Sequence, residues 1–213
     1  MVDLGVFDTK ARDGENIPEY YLVRAYKGSD PYSMITDLPL EEAERVSREA
    51  FPQRGENYMA DRFAVDGWLR EQAQISGVAI SRANPISFSL VRDLDQWEKS
   101  IHPDDGRVII PFREADLSNW SFTVDDSFVS APRNLIQDSD WMEEYPKEDL
   151  HGRVLNGQEI AGILIQECFP EGKVGSNPRY FEAQLWANEP TLIKRSDFTP
   201  EPSLTKYAPV IGR

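Results

Sequence analysis

The seven residues Pro85-Ile86-Ser87-Phe88-Ser89-Leu90-Val91 change the rhythm of the chain. Ile86, Phe88 and Leu90 alternate with Ser87, Ser89 and Val91, the period of two that sends successive side chains to opposite faces of a strand. Upstream the rhythm is helical. Leu40, Ala43, Val46, Ala50 and Phe51 fall on one side of a helix with Glu41, Glu42, Glu44 and Glu49 outside, and Thr36-Asp37 supplies an N-cap ahead of Pro39. A second helix is expected over residues 57–76, with Met59, Phe63, Trp68 and Leu69 on its apolar side and Gly77 as terminator. Before both lies a strand over residues 19–26, rich in aromatic and branched side chains and closed by Lys27-Gly28-Ser29-Asp30-Pro31.

Downstream the period of two persists. Strands are expected over residues 107–112 and 121–124, with Phe128-Val129 as an extension of the latter, and over residues 180–186. A short strand at 191–194 would end the series. Residues 154–169 suit either a helix or a buried strand, and a strand over 161–168 is the expectation. Strand, two helices, then several strands predicts one α+β domain on a mixed or largely antiparallel sheet. Its limits are residues 19–195, with an N-terminal arm (1–18) and a C-terminal tail (196–213).

Composition prunes the chemistry. The 213 residues carry a net charge of −14, and residues 93–150 hold 15 acidic against 5 basic side chains. Non-specific nucleic-acid binding is therefore disfavoured, since backbone phosphates attract basic surfaces. No window approaches the roughly 18 apolar residues of a membrane span. One cysteine, Cys168, excludes an internal disulfide and suits a reducing cytoplasm; beside Phe169 it reads as a small buried hydrophobe. His102 and His151 stand in loop contexts without zinc-ligand spacing, so no metal site is expected. Trp68, Trp97, Trp120 and Trp141 read as core or groove fillers. An enzyme built from this chain would rely on carboxylates, arginines, hydroxyls and aromatics.

The segment Glu171-Gly-Lys-Val-Gly-Ser-Asn-Pro-Arg-Tyr-Phe-Glu-Ala-Gln-Leu-Trp186 runs a polar loop into a strand. Tyr180, Glu182, Gln184 and Trp186 share one face, and Phe181, Ala183 and Leu185 the other. Arg24 likewise interrupts the row Tyr20, Leu22, Tyr26, and Ser87 and Ser89 sit between apolar neighbours. Singly, each suits the wet face of a sheet.

Taken in order, a strand arginine, a two-helix excursion, an aromatic-serine strand and a loop feeding a glutamate-bearing strand resemble the ADP-ribosyltransferase fold, in its arginine-serine-glutamate branch. The resemblance implies NAD as substrate and a macromolecular acceptor. It implies that Arg24 holds the phosphates, Ser87 or Ser89 supports the nicotinamide end, Glu182 stabilises the transition state, and loop 172–179 meets the target. Aromatics such as Tyr20, Tyr26, Tyr180 or Trp186 would stack on the nicotinamide or adenine ring. Many of these enzymes carry Gln-x-Glu or Glu-x-Glu; here the order is Glu182-Ala183-Gln184, with Gln184 left to touch the acceptor and Glu167 as a competing carboxylate.

Two other functions compete. One is a non-catalytic acidic protein of the immunity or inhibitor kind, meeting a basic partner through residues 93–150. The other is a carboxylate-dependent hydrolase pairing Glu182 with Asp125 or Glu167.

Overall fold

A computed structural model describes residues 19–137, 150–166, 169–170, 173–174 and 177–192. The N-terminal arm, the C-terminal tail, Trp141, Glu167 and Cys168 lie outside the described residues.

Strand β1 (Tyr21–Tyr26) is followed by helices α1 (Leu40–Ala50) and α2 (Tyr58–Ile75). Next come β2 (Ile86–Val91), the short helix α3 (Leu94–Ser100), β3 (Gly106–Pro111), β4 (Trp120–Val124) and the single turn α4 (Ser127–Ser130). The chain continues through β5 (Leu155–Asn156), α5 (Gly157–Ile165), a small hairpin of β6 (Lys173–Val174) and β7 (Asn177–Pro178), and β8 (Phe181–Leu185). Six strands form one antiparallel sheet in the order β3-β1-β2-β8-β4-β5, so the α+β class holds.

The period-two pattern sets both faces of this sheet. Leu22, Ile86, Phe88, Leu90, Trp120, Phe122, Phe181, Ala183 and Leu185 pack with Ile160 and Leu164 of α5 into one core. On the opposite face Trp186 packs with Val65, Leu69 and Ala73 of α2 and Phe128 of α4. The division of β8 into Glu182/Gln184/Trp186 and Phe181/Ala183/Leu185 faces is thus the one its alternation dictates.

Four local expectations are corrected. Residues 157–165 are helical, not a strand over 161–168: Asn156 caps the N-terminus with its side chain and Glu159 returns the bond to the Asn156 N–H, a capping box that starts a helix. Ile160 and Leu164, four apart, then face the sheet. Phe128-Val129 does not prolong β4, because Asp125 adopts φ 56° and Asp126 caps the α4 turn through the Phe128 N–H. Thr36-Asp37 belongs to a 3-10 turn, Ile35–Asp37, and α1 begins only after Pro39. Residues 191–192 make a single bridge, Ala115 to Leu192, rather than a strand, and 193–194 lie outside the described residues.

One close approach is testable. Gly157 opens α5 where an added Cβ would stand 2.4 Å from Leu117 Cβ and 3.0 Å from Leu117 O. Both are closer than van der Waals contact, so Gly157→Ala must push the 117–119 turn away from the helix. Urea unfolding should show a loss of about 1–3 kcal/mol; an unchanged midpoint would mean that this turn yields freely.

Candidate functional site

A cleft of about 920 Å³ opens between the outer segment of β1, the loop at 30–38, helix α1 and the start of α2. The apolar stripe of α1 serves it directly: Val46, Ala50 and Phe51 line the cleft, while only Ala43 and Ser47 of α1 are buried. Arg24, Tyr26, Ser87, Ser89, Tyr180 and Glu182 all contribute to its wall. Six of the residues singled out from sequence therefore meet around one opening. Gln184, Tyr20 and Trp186 do not line it.

The strand register explains the meeting. Ser89, Glu182 and Thr123 lie in one row across β2, β8 and β4, and Ser87, Gln184 and Ser121 in the next. All six side chains share the face that α2 partly covers. Gln184 is satisfied within the sheet: its Oε1 accepts from Ser121 Oγ at 2.9 Å, and its Nε2 donates to Thr123 Oγ1 of the neighbouring row at 3.0 Å. Trp186 Nε1 completes the network with a 2.8 Å bond to Ser121 Oγ. Gln184 is wholly buried, so the acceptor-contacting role expected of it is corrected: this amide saturates a buried polar row.

Glu182 is 4% exposed. Its Oε2 accepts the Ser127 backbone N–H at 2.5 Å, which fixes the carboxylate against α4. Its Oε1 stands 3.9 Å from Arg62 Nη2. Ser89, directly opposite Glu182 in the register, makes no hydrogen bond through its hydroxyl among the described residues. The Ser87 hydroxyl instead accepts from Arg62 Nη2 at 3.1 Å.

Arg62 is the residue that sequence reasoning missed. From α2 it also reaches Ser127 Oγ at 3.1 Å and Asp66 at 2.9 Å, one turn further along the helix. Burial alone would lower its pKa, but Asp66, Glu182 and Asp126 outweigh burial and raise it. Burial pushes the Asp66 carboxyl up to about 6 despite Arg62. Asp126 is likewise raised to about 6, by burial first and then by Glu182. Three carboxylates around one guanidinium leave excess negative charge, which these two aspartates relieve by binding protons. A signal was present in the sequence: Arg62 and Asp66 sit four apart within the stripe Met59, Val65, Leu69 and Ala73 that α2 buries. Phe63 and Trp68, expected on that stripe, are only half-buried.

Arg24 is engaged on three sides. Its Nε donates to Pro31 O at 2.8 Å, Nη1 to Ser87 O at 2.9 Å and Nη2 to Ser33 O at 2.9 Å. The β1–β2 ladder ends at the Val23–Ser89 pair; beyond it the guanidinium takes the place of strand pairing and ties the 31–33 loop to β2. Burial lowers its pKa, and the neighbouring Arg82 lowers it further. Arg24→Met should cost about 1.5–3 kcal/mol, the usual range for a charged hydrogen-bonding group, and should hasten protease cleavage within residues 27–37. Unchanged cleavage there would refute the bracing role.

Asp125 lies outside the cleft lining and is committed elsewhere, which corrects its candidacy as a hydrolytic partner of Glu182. Arg179 Nη2 binds its Oδ2 at 2.5 Å and Nε lies 3.1 Å from Oδ1, while His151 Nε2 stands 3.2 Å from Oδ2. His151 is thus in a loop, as expected, but it anchors the base of β8 with Asp125 and Arg179. His102 is in an exposed loop beside Asp104. Trp97 lines the cleft, Trp120 is buried in the core and Trp68 is half-buried. Among the described residues no group of three or more metal-ligating side chains gathers, and no helix is long and apolar enough to cross a membrane. Compared with protein-family models, curated proteins and solved structures, the chain finds no match.

Proposed function

We propose that the protein is an ADP-ribosyltransferase-like enzyme, which uses NAD as substrate to modify a macromolecular acceptor. The observation that carries this proposal is the meeting of Arg24, Ser87, Ser89 and Glu182 on one cleft, joined by Tyr26 and Tyr180. The cleft is large enough for a dinucleotide and presents arginines and aromatic rings beside a fixed carboxylate.

In the reaction the bond between ribose C1′ and the nicotinamide nitrogen breaks. Its electron pair stays with the nitrogen, and the sugar carries positive charge until an acceptor nucleophile bonds to C1′ and loses a proton. Glu182 would face that charge with Oε1, since Oε2 is held by the Ser127 N–H. Of the two serines, Ser89 has the hydroxyl available for the nicotinamide end, whereas Ser87 is engaged by Arg62. Arg24 keeps the cleft wall in place. A reducing cytoplasm, where NAD is at hand, is the compartment that goes with this activity and the single cysteine.

The test supplies NAD labelled in its ADP-ribose part, together with cell extract, and follows both nicotinamide release and label on macromolecules. Release with transfer is expected. Neither release nor transfer would reject the enzyme.

A further inference from the structure

The cation best placed to take an anionic ligand is not Arg24 but Arg54. Arg54 lines the cleft from the segment joining α1 to α2. Its guanidinium carbon lies 4.0 Å from the centre of the Phe51 ring and 4.3 Å from that of Tyr58. Tyr58 in turn stacks on Phe128 at 5.4 Å, and Phe128 belongs to the core beneath α2 and α4. Arg62 lies over Phe128 at 5.8 Å, so the stacked Tyr58–Phe128 pair links the Arg54 guanidinium at the cleft edge to that of Arg62 beside Glu182.

A guanidinium stacked on rings is held by its faces. Its N–H donors lie in its plane and remain available. Among the described residues no carboxylate stands within ion-pair distance of Arg54, and its side chain makes no hydrogen bond. Arg24 and Arg62, by contrast, spend donors on carbonyls, hydroxyls and carboxylates. A pre-positioned charge with free, coplanar donors is what bidentate recognition of a phosphate requires. The rings also spare the entropy that an exposed arginine loses on binding.

From this geometry we infer that Arg54, caged by Phe51 and Tyr58, is the phosphate-binding residue of the cleft and takes the diphosphate of a dinucleotide. This deepens the NAD proposal and rests on it for the identity of the ligand. It moves the phosphate contact away from Arg24, which braces the wall.

Calorimetric titration of the full chain with NAD, ADP, adenosine and inorganic pyrophosphate tests it, using wild type, Arg54→Ala and Arg54→Lys with thermal melts as a check on folding. The loss expected for Arg54→Ala is about 10- to 100-fold in affinity for NAD, ADP and pyrophosphate, as for a charge-assisted bidentate contact. Adenosine binding should not change. Arg54→Lys should recover only part of the loss, because an ammonium neither stacks nor forks. Equal affinity of a folded Arg54→Ala for ADP and NAD would overturn the assignment while leaving the NAD proposal standing. Pyrophosphate binding that needs Arg54, without NAD or ADP binding, would support the anion site and reject NAD as the ligand. Binding of none of the four by wild type would reject both.

Discussion

Glu182→Gln is expected to cut nicotinamide release from NAD by about 10²–10³-fold, the usual loss on removing one preorganised electrostatic contact to a transition state. The substitution keeps shape and hydrogen bonding. A glutamine oxygen still accepts the Ser127 N–H, and Arg62 still has Asp66 at 2.9 Å. What disappears is the negative charge beside the developing sugar cation. Glu182 also helps to raise the pKa of both Asp66 and Asp126, so neutralising it eases the local crowding of carboxylates. Stability at neutral pH should therefore hold or rise. Initial rates of nicotinamide release and a thermal melt, taken together, decide the matter. Full activity in a folded Glu182→Gln protein would remove Glu182 from the reaction.

Arg62→Met should be the most damaging single change to the fold, with a loss of about 3–5 kcal/mol near neutral pH, as expected when a buried charge cluster loses its counter-ion. Asp66 would then face Glu182 and Asp126 without compensation. The loss should depend on pH in a definite direction. In the native protein Asp66 and Asp126 bind protons with pKa values of about 6, above their ordinary value of 3.8. Such groups favour the folded state fully below the ordinary carboxylate range and withdraw that favour as pH rises through about 6. The wild-type contribution from these two groups thus falls between pH 4 and pH 7. Without Arg62 both pKa values climb further, so the penalty should be large at pH 7.5 and much smaller at pH 5. Urea unfolding at the two pH values tests this, and Asp66→Asn added to Arg62→Met should recover a good part of the loss. An equal penalty at both pH values would show that Arg62 acts through packing rather than charge.

The strands that build the cleft were legible because their apolar residues recur every second position. Ile86, Phe88 and Leu90, and Phe181, Ala183 and Leu185, needed only the period of two to be assigned a common core. The run at 160–165 was not legible. Six mostly apolar residues satisfy a strand and a helix alike, and the Asn156–Glu159 capping box that decides for the helix lies upstream of the run. Gln184 was beyond reach for a different reason. Its burial depends on β8 lying between β2 and β4, so that Ser121 and Thr123 stand beside it; strand order is a property of tertiary pairing, which alternation does not encode. The same limit hid Arg62, whose partners Ser87, Ser127 and Glu182 come from three distant parts of the chain.

The order β3-β1-β2-β8-β4-β5 also has a consequence for synthesis. The strand that carries Glu182 is the last of the six to leave the ribosome, yet it is the one that joins β2 to β4. Until residues 181–185 emerge, β2 and β4 each keep an unpaired edge, and the nascent chain holds two half-sheets without the Glu182 that stands between Ser89 and Thr123 in the finished row. Such edges invite pairing with other chains, which makes a stalled or truncated product prone to aggregate. Insertion of β8 closes both edges and completes the cleft in one step. A chain interrupted before that point would have no Glu182 to act with.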